Sequence, residues 1–254
     1  MTDARLGAAL VTGGGQRIGR EIALTLAKAG FDVAIHHRKS ADKAEAVAAE
    51  VRALGRRSVT VKADLMREDE VRGLVGQAAE ALGPVAVLVN NASVFEDDRV
   101  GELSRESWDK HIETNLRAPI VLAEAFAEQA PKGSAIVNLL DQRVLKPDPR
   151  FFSYALSRNG LWWATRTLAQ ALAPRIRVNG VGPGPTLPSI HQSDEQFEAE
   201  WRQVPLQRPG SPEAVARAVA WLVEAELVTG QMIAVDGGQH LAWQTPDITV
   251  PDSL

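Results

Sequence analysis

Short apolar runs alternate with longer amphipathic segments along almost the whole chain, and no other feature restricts the fold as strongly. Such alternation is typical of repeated strand–helix units around a parallel sheet. The sequence predicts strands at Ala8 to Thr12, Asp32 to His36, Ser58 to Ala63, Val85 to Asn90, Ser134 to Leu140, Arg175 to Val181 and Met232 to Asp236. It predicts helices at Arg17 to Ala29, Ala41 to Leu54, Glu68 to Leu82, Ser104 to Gln129, Phe152 to Ala173 and Pro212 to Val223.

No proline-rich linker, composition shift or internal repeat divides the 254 residues. We therefore expect one α/β domain of the Rossmann type, a doubly wound seven-stranded parallel sheet with helices on both faces, over residues 1–254. The segment Pro185 to Pro205 is long and carries Phe197, Trp201 and Val204 at helical spacing. A doubly wound fold would place such an insertion over its ligand as a lid, and an ordinary surface helix is the alternative.

Composition removes several classes of function. A formal net charge of −4 argues against nucleic acid or an anionic membrane as the main partner and favours a small-molecule substrate. The chain has no cysteine, and its five histidines show no metal-ligand spacing, so we predict no metal site. The amino-terminal residues lack a signal-peptide pattern and no stretch approaches the ~20 apolar residues of a membrane span, so we expect a cytoplasmic protein.

A glycine-rich turn follows the first predicted strand and leads directly into a helix. It reads Thr12-Gly13-Gly14-Gly15-Gln16-Arg17-Ile18-Gly19. Glycines allow a tight turn and a close backbone approach, while free N–H groups and the positive end of the helix attract a pyrophosphate. We therefore predict a dinucleotide site that includes Gly13, Arg17, Ile18 and Gly19.

The end of the second strand predicts which dinucleotide binds. A free ribose 2′-hydroxyl calls for a carboxylate about 20 residues after the glycine turn. This chain has His36-His37-Arg38-Lys39-Ser40 there, with cations and a hydroxyl that suit a 2′-phosphate. We therefore predict NADPH rather than NADH as the cofactor. His36 and His37 point to opposite sides of the strand and are interpreted as structural or cofactor-side residues.

Polar residues also follow the third and fourth strands. These are Asp64, next to Leu65, and Asn91, next to Ala92. Carboxyl ends of parallel strands face the ligand crevice, so these residues could contact the adenine and ribose. An equally good interpretation is that the Asp64 and Asn91 side chains stabilise the turns themselves.

The fifth strand leads to Asp141, and Tyr154 follows on the next predicted helix. Tyr154 is the only tyrosine in the chain. Arg158 stands one helical turn later on the same face, and its charge is expected to favour the ionised phenol and so ease acid catalysis near neutral pH.

These residues, in this order, make the sequence similar to the short-chain dehydrogenase/reductase family over essentially the whole chain. The matches are the turn at 12–19, Asn90-Asn91-Ala92, Asn115, Tyr154, Arg177-Val178-Asn179, Pro183-Gly184, Thr229-Gly230 and Asp236-Gly237-Gly238. The resemblance implies that Tyr154 donates a proton to substrate, that Asn115 holds a water of the proton relay, and that Thr186 lies near the nicotinamide carboxamide. It also implies cofactor contacts for Ser93, Pro183 and Gly184, and assembly as a homotetramer.

Two departures resemble the pteridine-reductase branch of that family. Asp141 stands where the family at large has Ser, and Arg17 where it has Gly. The stretch Asn91-Ala92-Ser93-Val94-Phe95 is similar to that branch too, in which the corresponding Phe stacks on the pterin ring. The resemblance implies substrate binding by Arg17, Phe95, Asp141 and Tyr154, with the last two as the proton-donating pair. His37, Arg38 and Ser40 resemble the cofactor residues of that branch, although Lys39 intervenes.

A third departure is Arg158, where the family has Lys. A guanidinium can hold the nicotinamide ribose, but it does not readily lose a proton.

The leading hypothesis is an NADPH-dependent reductase of a dihydropterin or similar conjugated C=N compound. A 3-oxoacyl or sugar carbonyl reductase is one alternative, against which Asp141 and Phe95 argue. A non-catalytic NADPH-binding sensor is the other alternative. Tyr154 and Asn115 argue against it, because they favour a catalytic role.

Overall fold

Seven parallel strands form one sheet in the computed structural model, which describes residues 6–188 and 192–243. The strands are β1 Ala8–Val11, β2 Asp32–His37, β3 Ser58–Lys62, β4 Val85–Asn90, β5 Ser134–Leu139, β6 Ile176–Pro183 and β7 Met232–Val235. Their order across the sheet is β3-β2-β1-β4-β5-β6-β7. The chain winds outward in opposite directions from β1 and β4, and a crevice opens between their carboxyl ends. This confirms the predicted doubly wound fold.

Helices cover both faces of the sheet, as predicted. They are α1 Arg17–Lys28, α2 Ala41–Ala53, α3 Glu68–Leu82, α4 Arg105–Ile112, α5 Ala118–Gln129, α6 Phe152–Leu172, α7 Asp194–Arg202 and α8 Pro212–Glu224. Leu74 of α3 and Phe126 of α5 belong to the core on one face, and Ile22 of α1 and Leu222 of α8 to the core on the other. Burial on both faces explains why β1 and β2 contain no exposed residue.

The helix predicted from Ser104 to Gln129 is not continuous. It divides into α4, a π-helical turn at Glu113–Arg117, and α5. An α-helix would need an N–H at residue 119 to bond the carbonyl of Asn115, and Pro119 has none. The N–H of Ala118 instead bonds the carbonyl of Glu113, five residues back. The widened turn contains Asn115, and such turns are frequent at functional sites.

The predicted lid segment contains α7. Ser193 and Gln196 cap its first turn with reciprocal hydrogen bonds. No residue of α7 is buried, whereas Val204 just after it is 2% exposed. Residues 189–191 of this segment lie outside the described residues. In the described part of the chain, no helix is long and apolar enough to cross a membrane.

Candidate active site

Thr12 and Asn91 fasten the carboxyl ends of β1 and β4 to each other. The Thr12 hydroxyl accepts hydrogen bonds from the backbone N–H groups of Asn91 (2.9 Å) and Ala92 (3.0 Å). The Asn91 amide donates to the carbonyl oxygens of Thr12 (2.8 Å) and Gly13 (3.2 Å). These bonds fix the crevice at the point where the strand order reverses.

The glycine turn leaves an open anion site at the start of α1. A Cβ at Gly19 would lie 2.3 Å from the Gly13 carbonyl oxygen and 2.6 Å from the Asn91 amide nitrogen, so no larger residue fits. The first turn of α1 has no acidic residue, and Gln16 makes no side-chain cap. The first N–H groups of α1 therefore have no side-chain cap, an arrangement that fits a pyrophosphate.

His36, which was interpreted from the sequence as a structural or cofactor-side residue, shapes this turn. The Gly13 N–H donates to its Nδ1 (3.1 Å), so the proton of the neutral ring lies on Nε2, which donates to the Ala63 carbonyl (3.1 Å). Burial lowers the pKa of His36 to about 4.

A cleft of about 420 Å³ lies beside the turn. Ten of the predicted cofactor residues line it: Gly13, Arg17, Ile18, Gly19, Arg38, Asp64, Leu65, Asn91, Ala92 and Ser93. The Arg38 guanidinium lies 3.9 Å from the Asp64 carboxylate, at the end of β2 where a cation is expected. His37, buried at the end of β2, and Ser40, exposed before α2, do not line the cleft.

A larger cavity of about 1110 Å³ continues from the cleft, since Arg17, Ile18, Asn91 and Ser93 line both. It brings together the remaining predicted site residues except His37, Ser40 and Asn115: Phe95, Asp141, Tyr154, Arg158, Pro183, Gly184 and Thr186. The cleft and the larger cavity thus form one groove. This groove joins the predicted cofactor residues to the predicted catalytic residues.

A hydrogen-bonded phenol and carboxylate form the centre of this cavity. The Tyr154 hydroxyl donates to Asp141 Oδ2 (2.8 Å). Asp141 also accepts from the backbone N–H of Arg143 (2.8 Å), and its Oδ2 lies 3.3 Å from Arg143 Nη1. The carboxylate is therefore paired with a cation that the sequence analysis missed, two residues along the turn after β5.

The expected effect of Arg158 on the phenol is outweighed. Burial raises the pKa of Tyr154 well above its usual value, and the Asp141 charge raises it further, while Arg158 lowers it by less. The Arg158 guanidinium lies 5.3 Å from the centre of the Tyr154 ring, and its Nη1 donates to the Leu139 carbonyl (2.8 Å). Arg158 therefore lowers the pKa of Tyr154 as expected, but the net pKa is raised, so Tyr154 keeps its proton at neutral pH.

Asn115 is fully buried and lines neither cavity. Its Oδ1 accepts from the Val94 N–H (2.9 Å), and its Nδ2 donates to the Val94 carbonyl (2.9 Å) and to Ser157 Oγ (3.2 Å). Ser157 Oγ donates to the Tyr154 carbonyl (2.6 Å). In this structure Asn115 connects the loop after β4 with the helix that carries Tyr154.

Phe95 lies against two aromatic rings. Its centre is 4.4 Å from that of Phe151 in a stacked arrangement and 4.7 Å from that of Tyr154 in an edge-on one. Phe151 has a φ of +54°, which is strained for a bulky side chain. Nothing in the sequence points to Phe151, because no local pattern predicts a contact between residues so far apart in the chain.

Comparison with known proteins gives the family. A family model described as enoyl-(acyl carrier protein) reductase matches residues 13–240. The 3-oxoacyl-(acyl-carrier-protein) reductase FabG of Staphylococcus epidermidis is 35% identical over 240 residues, which are 92% of this chain and 98% of that protein. A short chain dehydrogenase from Burkholderia cenocepacia, solved in complex with NADP, is 38% identical, with a TM-score of 0.88 over 92% of this chain and 99% of that one. The chain belongs to the short-chain dehydrogenase/reductase family.

A second solved structure refines the likeness. FolM alternative dihydrofolate reductase 1 from Brucella canis, complexed with NADP, is 51% identical and has a TM-score of 0.93 over 96% of this chain and 98% of that one. The similarity fits the pteridine-reductase-like branch to which Asp141 and Arg17 point. This short-chain dehydrogenase/reductase is an NADPH-dependent oxidoreductase, and the open helix start and the Arg38 cation suit that cofactor.

The buried His36 makes stability depend on pH. Its pKa is 6.5 when unfolded and about 4 when folded, so the unfolded chain binds more protons in this interval and stability falls as the pH drops from 6.5 to 4. The loss over the whole interval is roughly 3 kcal/mol. Urea unfolding at several pH values measures it. His36→Asn keeps an acceptor for the Gly13 N–H but does not titrate, so its stability should change less with pH; identical pH dependence in the two proteins would contradict this assignment.

Proposed function

We propose that the protein reduces the conjugated C=N bond of a dihydropterin ring with NADPH. The observation that carries the proposal is the arrangement of the Phe95 ring beside the hydrogen-bonded pair of Tyr154 and Asp141. A flat, polar heterocycle needs an aromatic surface and a carboxylate that accepts from its N–H groups. Both line the same cavity here. The 51% identity to an alternative dihydrofolate reductase supports the same substrate class.

The cofactor end of the groove suits NADPH, which when bound supplies the hydride. The start of α1 with Gly13 and Gly19 would hold the pyrophosphate, and Arg38 the 2′-phosphate. Pro183, Gly184 and Thr186 line the larger cavity, where they would lie next to the nicotinamide. Arg17 lines both cavities and would contact cofactor and substrate alike.

Tyr154 and Asp141 would supply the proton. Reduction breaks the C=N π bond, places a hydride on carbon and requires a proton on nitrogen. The developing nitrogen anion is a stronger base than a phenolate, so a phenol with a raised pKa still transfers its proton to it. Asp141 accepts a hydrogen bond from the Tyr154 hydroxyl until the substrate nitrogen accepts the hydroxyl proton. Arg158, which lies over the ring, then stabilises the phenolate that forms.

A second candidate is reduction of a 3-oxoacyl thioester. The 35% identity to FabG and the match to a family model named for acyl-carrier-protein chemistry favour it. A simple carbonyl requires only a hydroxyl to polarise it, which leaves Asp141 and Phe95 without a role. We therefore rank it second.

NADPH oxidation by the purified protein tests the two candidates. We expect turnover with dihydrobiopterin or dihydrofolate, little with an acetoacetyl thioester or small aldehydes, and less with NADH as control. Phe95→Ala should raise the KM for the pterin by roughly 10-fold through lost stacking. Trp243→Ala, which removes an exposed aromatic side chain that lines neither cavity, is the control and should leave that KM unchanged. Turnover of the carbonyls alone would replace the first candidate by the second.

The arginine at position 158 should support catalysis. We expect an active wild type, because the guanidinium 5.3 Å from the Tyr154 ring supplies the charge that the family lysine would supply. Arg158→Met should lower kcat by roughly 10- to 30-fold through loss of this cation–π contact. Arg158→Lys should retain most activity in the same steady-state assay. An inactive wild type beside an active Arg158→Lys variant would refute this role.

We also propose that residues 185–205 form a lid on the larger cavity. Gln196, Phe197 and Glu200 of α7 line that cavity. Arg17 Nη2 donates to the Pro188 carbonyl (2.9 Å), and Glu200 accepts from the side-chain amide of Gln239 (3.2 Å). These contacts support a segment that is held to both sides of the groove.

Three further predictions from the sequence complete the proposal. A single domain is supported by one sheet with a core on each face. A homotetramer is supported by apolar surface on α6, where Trp163 is 65% exposed and Leu156 is 42% exposed, and on α8, where Trp221 is 51% exposed. The cytoplasmic location stays a prediction.

A further inference from the structure

A cluster of buried polar residues lies beneath the site without lining either cavity. Asp98 is 5% exposed, and His111 and Ser153 are fully buried. They come from the loop after β4, from α4 and from the first turn of α6. Burial of three such groups costs free energy unless each is hydrogen-bonded, so their pairing requires an explanation.

The three side chains form one directed chain of hydrogen bonds. The Glu96 N–H donates to His111 Nε2 (3.1 Å), so the ring proton lies on Nδ1 and donates to Ser153 Oγ (2.6 Å). The Ser153 hydroxyl in turn donates to Asp98 Oδ2. Burial lowers the pKa of His111. Burial acts to raise the pKa of Asp98, but hydrogen bonds from Ser153 and Ser107 outweigh it, so that group stays ionised.

Asp98 replaces the cap that α6 lacks. Phe151, before the helix, makes no side-chain cap, and the first turn has no acidic residue. The N–H of Phe152 donates to the Asp98 carbonyl (3.0 Å), and the N–H of Ser153 to Asp98 Oδ1 (2.9 Å). A carboxylate here also interacts favourably with the helix dipole. The start of the helix that bears Tyr154 is thus fixed by a loop more than 50 residues earlier in the chain.

The same loop carries Phe95, and it is held at alternate residues. Val94 bonds to Asn115 through both backbone groups, Glu96 bonds to His111, and Asp98 bonds to α6. Phe95 lies between the first two anchors, and its ring meets Tyr154. Displacement of any anchor would therefore change the distance between that ring and the phenol.

We infer that Asp98, Ser153 and His111 form a positioning network that sets the Phe95 ring and the Tyr154 hydroxyl relative to each other. The inference rests on the proposed function in assigning Phe95 and Tyr154 to substrate binding and proton transfer. None of the three residues touches the reacting atoms. The His111 ring lies edge-on to the Tyr154 ring, with centres 6.1 Å apart, and the network otherwise acts through the loop and the helix that it joins.

Ser153→Ala against Ser107→Ala is the matched test. Both variants remove a hydroxyl that donates to Asp98 Oδ2, but Ser107 lies on α4 and has no hydrogen bond to α6. Ser153→Ala should lower kcat/KM for dihydrobiopterin by roughly 10- to 100-fold through misplaced groups. The Kd for NADPH should stay within about 2-fold, because none of the three residues lines the cleft. Ser107→Ala should change both quantities little.

A spectroscopic signal tests the network independently of the substrate. Tyr154 is the only tyrosine, so carbon-13 labelling of tyrosine at Cζ alone gives a single NMR signal. That signal should move in Ser153→Ala and stay in Ser107→Ala. Equal kinetic losses in the two variants, or an unmoved signal in Ser153→Ala, would overturn the network. If no dihydropterin is reduced by the wild type, the proposed function fails and the NMR comparison still decides the network.

A pair of histidine variants covers the case in which Ser153→Ala does not fold. His111→Asn retains a donor near Ser153 Oγ, whereas His111→Leu retains neither donor nor acceptor. The network predicts a larger displacement of the tyrosine signal and a larger loss of kcat/KM in His111→Leu. Equal effects of the two variants would contradict it.

Discussion

The hydrogen bond from the Tyr154 hydroxyl to the Asp141 carboxylate is the contact on which the geometry of the larger cavity depends. The two groups meet because β5 ends, and α6 begins, at the carboxyl edge of the sheet. Two cations surround them in different ways: Arg143 contacts the carboxylate, and Arg158 lies over the phenol ring. A buried charge is tolerable only when it is paired in this manner. The result is a carboxylate stabilised by Arg143 beside a phenol that retains its proton.

One loop, which follows β4, joins the cofactor cleft to the substrate cavity. Asn91 binds it to Thr12 at the glycine turn, Val94 binds it to Asn115, and Asp98 binds it to Ser153 on α6. Phe95 lies between the last two anchors. A loop held at three points loses little further conformational entropy when ligand binds, so the aromatic surface is preorganised.

Sequence patterns were sufficient for the architecture, because hydrophobic periodicity and the glycine turn are local signals. The break at Asn115 depends on the missing N–H of Pro119, and a hydrophobic pattern does not report it. The pKa of Tyr154 depends on burial, which outweighs the neighbouring Arg158. Phe151, and the hydrogen bond that His36 accepts from the Gly13 N–H, became visible only through contacts across the fold. The distances between these residues and the burial of their side chains are determined by tertiary packing, and local sequence patterns do not report them.

The most direct test of this account is an ultraviolet titration of the single tyrosine, in the wild type and in Asp141→Asn. A phenol that is buried and hydrogen-bonded to the Asp141 side chain should ionise only above the ~10 of free tyrosine. Removal of the Asp141 charge should move the transition to lower pH, because that charge raises the pKa of Tyr154. Phenolate absorbance near neutral pH in the wild type, or an Asp141→Asn transition at unchanged or higher pH, would contradict the account.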